Sequence, residues 1–112
     1  MTRFARPLIA AAILFAAPLA ATAQDAAMLE ISIRNHRFEP AELKVPAGKP
    51  VTLKVRNLDG TPEEFESKTL RVEKVIAGNS EATIQIRAQK PGRYKFYGEF
   101  NEATAQGVLV VE

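Results

Sequence analysis

The sequence predicts an all-β sandwich or barrel of seven or eight short strands, and three observations support this fold class. Apolar and polar residues alternate with a period of two in most segments after Met28, as in strands with one solvated face. Turn-forming residues separate these segments at intervals of about 8–12 residues, which is typical of sandwiches and barrels. The segments after residue 28 carry no long apolar stripe at helical spacing. The clean alternation also predicts antiparallel sheets with one face in solvent.

In the first half of the domain, the alternation predicts three strands in order. Residues 29–34 alternate isoleucine and leucine with polar residues. Residues 43–45 do the same and end at the proline–glycine turn 46–48. Residues 51–57 form the third strand, which is followed by a loop rich in turn formers.

In the second half, turns that contain glycine or proline separate the remaining strands. The turns are Ala77-Gly78-Asn79-Ser80 and Lys90-Pro91-Gly92. One short turn of helix is compatible with residues 62–68 or 101–106. The predicted strands lie around Phe65 and over residues 70–76, 82–86, 94–98 and 108–112.

The first 23 residues have the three parts of a secretory signal peptide. Arg3 and Arg6 precede the apolar stretch 7–20, and Ala21-Thr22-Ala23 is a small-residue cleavage site before Gln24. The alternative is a membrane anchor, but a spanning helix needs about 20 apolar residues. We therefore expect a cleaved signal peptide over residues 1–23, a single domain over residues 24–112, a periplasmic protein, and no membrane anchor after cleavage.

Composition excludes several classes of function. The chain has no cysteine, so it has no thiol nucleophile, disulfide or iron–sulfur cluster. Without Arg3 and Arg6, the 15 basic residues become 13, which equals the 13 acidic residues, so a nucleic-acid partner is not expected. No nucleophile motif or phosphate-binding glycine run is present, so catalytic residues are not predicted.

The candidate ligands are one imidazole, three carboxylates and one amide. His36 is the single histidine, and carboxylates with one imidazole can form an open site for iron or copper. In a strand, Glu64 and Glu66 share a face that Glu63 does not. Asn101 lies with two further glutamates, Glu99 and Glu102, on a later loop. The competing interpretations are an exposed histidine, a solvated acidic edge and ordinary turn chemistry.

Three segments together resemble the cupredoxin family, and the resemblance covers nearly all of residues 28–112. The first, residues 33–48, contains His36, Phe38 and Pro40 before a strand and a glycine turn. The second, residues 51–65, resembles the strand and loop that deliver the first copper histidine. The third, residues 92–111, resembles the last hairpin, which in the family carries C-x-x-H and then a methionine. The resemblance implies a cupredoxin-like Greek-key β-sandwich.

The copper-binding positions of that family carry other residues in this chain. A type 1 centre needs two imidazoles, a thiolate and an axial thioether, and none of these stands at the matching positions. We therefore expect no type 1 copper. The replacements are Glu63 or Glu64 at the first histidine, Gly98 at the cysteine, Asn101 at the second histidine, and Thr104 or Ala105 at the methionine.

Residues 61–67 and 98–107 resemble the EfeO-type cupredoxin-like proteins associated with bacterial ferrous-iron permease systems. The resemblance implies copper or iron handling as an accessory to iron uptake, with an iron permease or another uptake component as partner. It implies at most an assisting role in Fe(II) oxidation. The predicted metal ligands are His36, Glu63, Glu64, Glu66 and Asn101. The alternative function is a metal-free sandwich that docks on a permease or a partner metalloprotein.

Overall fold

The computed structural model describes residues 25–112. The expected signal peptide, its cleavage site and Gln24 lie outside the described residues. Across residues 25–112, the structure has no helix with the length and apolar character needed to cross a membrane.

Residues 25–112 form a sandwich of two β-sheets, as the sequence predicts, with nine strands rather than seven or eight. The additional element is β2, a strand of three residues between the first and second predicted strands. The strands are β1 Ala27–Arg34, β2 Arg37–Glu39, β3 Glu42–Val45, β4 Val51–Asn57, β5 Glu63–Ser67, β6 Val72–Ile76, β7 Ser80–Ile86, β8 Gly92–Gly98 and β9 Gln106–Val111.

The prediction of purely antiparallel sheets is wrong, because both sheets are mixed. The four-stranded sheet has the order β2-β1-β4-β7, and the five-stranded sheet has the order β3-β9-β8-β5-β6. The pairs β1–β4 and β3–β9 are parallel. Side-chain alternation reports which face of a strand is buried, but it carries no information on the direction of the neighbouring strand.

The core lies between the sheets and is built by the inward residues of each strand. Ile31, Leu53 and Val55 are almost completely buried on the four-stranded sheet. Phe65 and Phe96 of the opposite sheet stack with ring centroids 4.9 Å apart. A third ring, Phe38, meets both of them edge-on.

Loops from both sheets meet at one end of the sandwich, which we call the loop end (residues 34–37, 57–62 and 98–105). The Asp59 carboxylate accepts hydrogen bonds from the backbone N–H groups of Asn35 (2.8 Å) and His36 (2.9 Å). The Thr104 hydroxyl donates to the His36 carbonyl. These bonds tie the β1–β2 turn to both neighbouring loops.

Candidate functional site

The positions that match the family's copper ligands converge at the loop end. A Cβ atom added at Gly98 would lie 2.6 Å from Glu63 Cδ and 2.7 Å from Ala105 Cβ. Asn101 Nδ2 lies 2.6 Å from Glu63 Oε2. Of the alternatives that the sequence left open, Glu63 and Ala105 are the residues that lie beside Gly98.

Glu63, Gly98, Asn101 and Ala105 form what we call the converted pocket, because they stand at positions that resemble the family's copper ligands. The Glu63 carboxylate fills this pocket and is held there by three donors. Glu63 is 1% exposed because it is on the inward face of β5, beside Phe65. Its Oε1 accepts from the N–H groups of Glu64 (3.0 Å) and Phe100 (2.9 Å). Its Oε2 accepts from the side-chain amide of Asn101. A buried carboxylate with donors on both oxygens is satisfied without a cation.

The converted pocket does not fit a type 1 copper ion. It offers one carboxylate and one amide in place of two imidazoles, a thiolate and a thioether. The Glu63 carboxyl group also takes the space that a side chain at position 98 would need. Copper chemistry of the blue type is therefore not available to these residues.

A second group of acidic residues lies on the outward face of the five-stranded sheet. Glu64 and Glu66 alternate with the inward residues of β5, so they share this outer face, as the sequence predicts. Glu66 is directly opposite Glu73 of β6 on one side and Tyr97 of β8 on the other. Glu99 follows β8 in a single 3₁₀ turn, Glu99–Asn101. We call Glu64, Glu66, Glu73 and Glu99 the carboxylate cluster.

The carboxylate cluster lacks the positive partners that would balance it. Glu64 is only 8% exposed. Within residues 25–112, no amide, hydroxyl or basic group donates to its carboxylate. Glu66 Oε2 is shielded from solvent and has no hydrogen-bond partner among the described residues. Two carboxylates of the cluster are therefore buried or half-buried with only other carboxyl groups as neighbours to bond to, which is costly unless a proton or a cation is bound.

The pKa values of Glu64, Glu99 and the neighbouring Tyr97 reflect this crowding. The hydrogen bond to Glu73, followed by burial and the charge of Glu99, raises the pKa of Glu64 from 4.5 to about 7. A hydrogen bond to Glu66, together with burial, raises the pKa of Glu99. Burial and the Glu66 charge raise the pKa of the Tyr97 phenol.

The geometry of the cluster suits a single metal ion with oxygen ligands. One oxygen from each of the four carboxylates lies within 4.8 Å of all the others. Oxygen ligands of a common ion at about 2.0–2.6 Å have separations of this size. Carboxylates are ligands for hard or borderline cations, whereas thioether and thiolate ligands select Cu(I).

The structure separates the five sequence-predicted ligands into three locations. Glu64 and Glu66 belong to the carboxylate cluster. Glu63 and Asn101 bind each other in the converted pocket. The His36 side chain is exposed at the β1–β2 turn, where His36 has a left-handed backbone with φ of 57°.

Two cluster members are missing from the predicted ligand set. Glu73 joins the cluster through the β5–β6 register, which pairs it with Glu66. Glu99 lies on the same loop as the predicted ligand Asn101. The available signal for Glu73 was the presence of glutamates in both of the predicted strands around Phe65 and over residues 70–76.

Comparisons with known proteins agree with the fold. The model of a family described as the cupredoxin-like domain matches residues 7–111. An uncharacterised protein of Rickettsia prowazekii is 37% identical over 83 residues, which is 74% of this chain and 66% of that protein. The chain therefore spans just under two thirds of that relative's length.

Solved structures of cupredoxins superpose on the domain. Auracyanin A, a "blue" copper protein from Chloroflexus aurantiacus, has a TM-score of 0.67 at 17% identity, with 79% of this chain and 100% of that chain covered. A purple cupredoxin from Nitrosopumilus maritimus has a TM-score of 0.57 at 20% identity, again covering 79% and 100%. At these identities the likeness establishes the fold.

Proposed function

This chain belongs to the cupredoxin-like domain family, and from that premise we propose that it binds a divalent iron or copper ion in the carboxylate cluster. The family includes copper-binding proteins, but the converted pocket of this chain has lost their ligands. The metal-binding function is therefore assigned to the outer face of the five-stranded sheet, next to the loop end.

One observation carries this proposal: Glu64 is only 8% exposed, its carboxylate lies among three others, and it receives no donor from the amides, hydroxyls or basic groups of residues 25–112. The hydrogen bond to Glu73, followed by burial and by repulsion from Glu99 and Glu73, raises its pKa to about 7. A cation that replaces the proton offsets the burial and the repulsion. In a solvated acidic edge, which is the alternative interpretation, Glu64 would be exposed, as Glu73 and Glu99 are, and its pKa would not be shifted in this way.

The donor set favours Fe(II) or Cu(II) over Cu(I). All four available ligand atoms are carboxylate oxygens. Hard and borderline ions accept such ligands, and Cu(II) is the tightest-binding divalent ion at a given N/O site. Availability of the ion, in addition to intrinsic affinity, decides between iron and copper.

The proposed setting is metal uptake in the periplasm. The support is the EfeO-type resemblance of residues 61–67 and 98–107 and the signal-peptide pattern of residues 1–23. The partner we propose is an iron permease or another periplasmic uptake component. If export occurs, the intact mass of the periplasmic protein will correspond to a chain that begins at Gln24; retention of residues 1–23 would contradict it.

The test is a cation titration of the purified, chelator-treated and dialysed chain. We expect one Fe(II), measured under anaerobic conditions, or one Cu(II) per chain, and a higher melting temperature, because a ligand of the folded state stabilises it. Glu64→Gln and Glu66→Gln should each weaken the affinity by about tenfold, because each removes one charged ligand from the ion.

The matched control is Glu42→Gln. Glu42 is an exposed residue of β3, at the opposite edge of the same sheet. Its Oε1 lies 3.5 Å from Arg93 Nη1. This variant removes one negative charge from the sheet without touching the cluster, so its affinity should equal that of the wild type. Equal losses of cation affinity in the Glu64 and Glu42 variants would show that net charge alone causes the loss, and would contradict a site at the cluster.

A metal-free docking module is the second candidate function. Its supporting observation is that Phe100 (51% exposed) and Leu58 (46% exposed) are both at the loop end. Exposed apolar side chains mark a binding surface where they form a contiguous patch. Absence of any cation-dependent stabilisation in the titration would leave this candidate standing.

A further inference from the structure

We propose that Glu63, in the converted copper pocket, is a positioning residue that assembles the carboxylate cluster on the other face of the sheet. This inference rests on the proposed function, because it assigns a role within the cation site. The position that holds a ligand in cupredoxins thereby acquires a different role. The Glu63 side chain contacts no metal ion, but it holds together two segments that carry ligands.

The two oxygens of Glu63 bind the backbone on both sides of the cluster. Oε1 accepts from the N–H of Glu64 and from the N–H of Phe100, at 3.0 and 2.9 Å. Glu64 is a cluster member, and Phe100 directly follows the cluster member Glu99. One carboxylate oxygen therefore links a ligand of β5 to a ligand of the 3₁₀ turn.

The 3₁₀ turn depends on this link for its position relative to β5. The β5–β8 ladder pairs Phe65 with Gly98, and the turn begins immediately after that glycine. No side-chain hydrogen bond caps the start of the turn. Beyond the ladder, the bonds from Phe100 and Asn101 to Glu63 connect the turn to β5.

The other cluster residues provide an internal contrast. Glu66 and Glu73 are held by the β5–β6 register and do not need the 3₁₀ turn. Loss of the Glu63 link should therefore displace Glu99 and leave Glu73 in place. The predicted signature is an energetic coupling between Glu63 and Glu99 that is absent between Glu63 and Glu73.

Two substitutions at Glu63 separate positioning from charge. Glu63→Gln removes the negative charge but keeps an oxygen for the two backbone donors. Its new NH₂ can donate to Asn101 once that amide turns its oxygen toward it. Glu63→Val removes the charge and all three hydrogen bonds. A purely electrostatic role would give the two variants the same cation affinity.

The experiment is a pair of double-mutant cycles, with Cu(II) and Mn(II) affinities measured by calorimetry on the mature chain. We expect Glu63→Gln to bind within about threefold of the wild type, and Glu63→Val to bind at least about tenfold more weakly. Adding Glu63→Val to Glu99→Gln should cost less than about threefold further, whereas adding it to Glu73→Gln should cost the full loss of about tenfold.

Additive losses with Glu99→Gln, or equal affinities of the Gln and Val variants, would overturn the inference. If the Val variant fails to fold, Asn101→Ala takes its place, since it removes one of the three bonds. Coupling of Asn101→Ala to Glu99→Gln supports the inference and additivity overturns it. Absence of cation binding by the wild type overturns the proposed function, and this inference falls with it. Wild-type binding with additive cycles overturns the inference alone.

Discussion

Substituting Gly98 by alanine tests whether the Glu63 carboxylate packs against Gly98 in the converted pocket. The added methyl group would lie 2.6 Å from Glu63 Cδ, 2.7 Å from Ala105 Cβ and 2.8 Å from Glu63 Oε1. Ordinary carbon contacts are about 3.5–4.0 Å. The carboxylate must therefore move, and it cannot move without weakening its hydrogen bonds to the 3₁₀ turn.

The magnitude is the sum of two effects. Insertion of a methyl group into a packed interior costs about 1–3 kcal/mol. Loss of one hydrogen bond to a charged acceptor costs about 1.5–3 kcal/mol. We expect the free energy of unfolding to fall by about 2.5–6 kcal/mol, which is a large part of the roughly 5–15 kcal/mol of a typical domain. The melting temperature should fall by at least about 10 °C.

The assay is urea denaturation followed by far-UV circular dichroism, with Gly60→Ala as the matched control. A Cβ at Gly60 has its nearest neighbour, Asn79 Nδ2, at 3.9 Å, so the control should stay within about 0.5 kcal/mol of the wild type. A loss below about 1 kcal/mol for Gly98→Ala would refute the packing of Glu63 against this glycine.

Three further predictions concern the carboxylate cluster and the missing copper ligands. In the folded chain, the pKa of Glu64 is raised from 4.5 to about 7, so the folded chain binds this proton more tightly than the unfolded chain. The protonated Glu64 therefore contributes stability that is fully present below pH 4.5 and is lost as the pH rises to about 7. The difference in urea midpoint between wild type and Glu64→Gln should therefore change between about pH 5 and pH 8; a constant difference would contradict the shift. The chain has two tyrosines and no tryptophan, and one of the tyrosines, Tyr97, is opposite Glu66. Cation-induced changes in tyrosine fluorescence should therefore persist in Tyr94→Phe and disappear in Tyr97→Phe. The Cu(II)-loaded chain should show no intense blue thiolate absorption, since it contains no cysteine; such a band would contradict the absence of a type 1 site.

The strand faces were predictable from the sequence because burial imposes a period of two on every strand. That period placed Glu64 and Glu66 together and separated them from Glu63. In the structure, the same period puts Phe96 inward and Tyr97 outward on β8. The resemblance to cupredoxins brought the positions of Glu63, Gly98 and Asn101 to one end, where the structure also places them.

The pairing of strands and the side chains that fill the converted pocket could not be predicted from the sequence. Glu73 meets Glu66 because of the β5–β6 register, which depends on the geometry of the intervening turn. Burial of Glu63 runs against the usual exposure of glutamate. It is possible because the 3₁₀ turn supplies two of its three donors, and sequence patterns do not show where a turn directs its N–H groups.

Anomalous X-ray diffraction from crystals of the chain grown with Fe(II) or Cu(II) would locate the bound cation. Data collected at the absorption edge of the metal identify the position of the ion independently of any assumption about its ligands. We predict one anomalous peak among Glu64, Glu66, Glu73 and Glu99, on the outward face of the five-stranded sheet. A peak at His36 or in the pocket of Glu63 and Asn101, with none at the carboxylate cluster, would contradict the assignment of the metal site to that cluster.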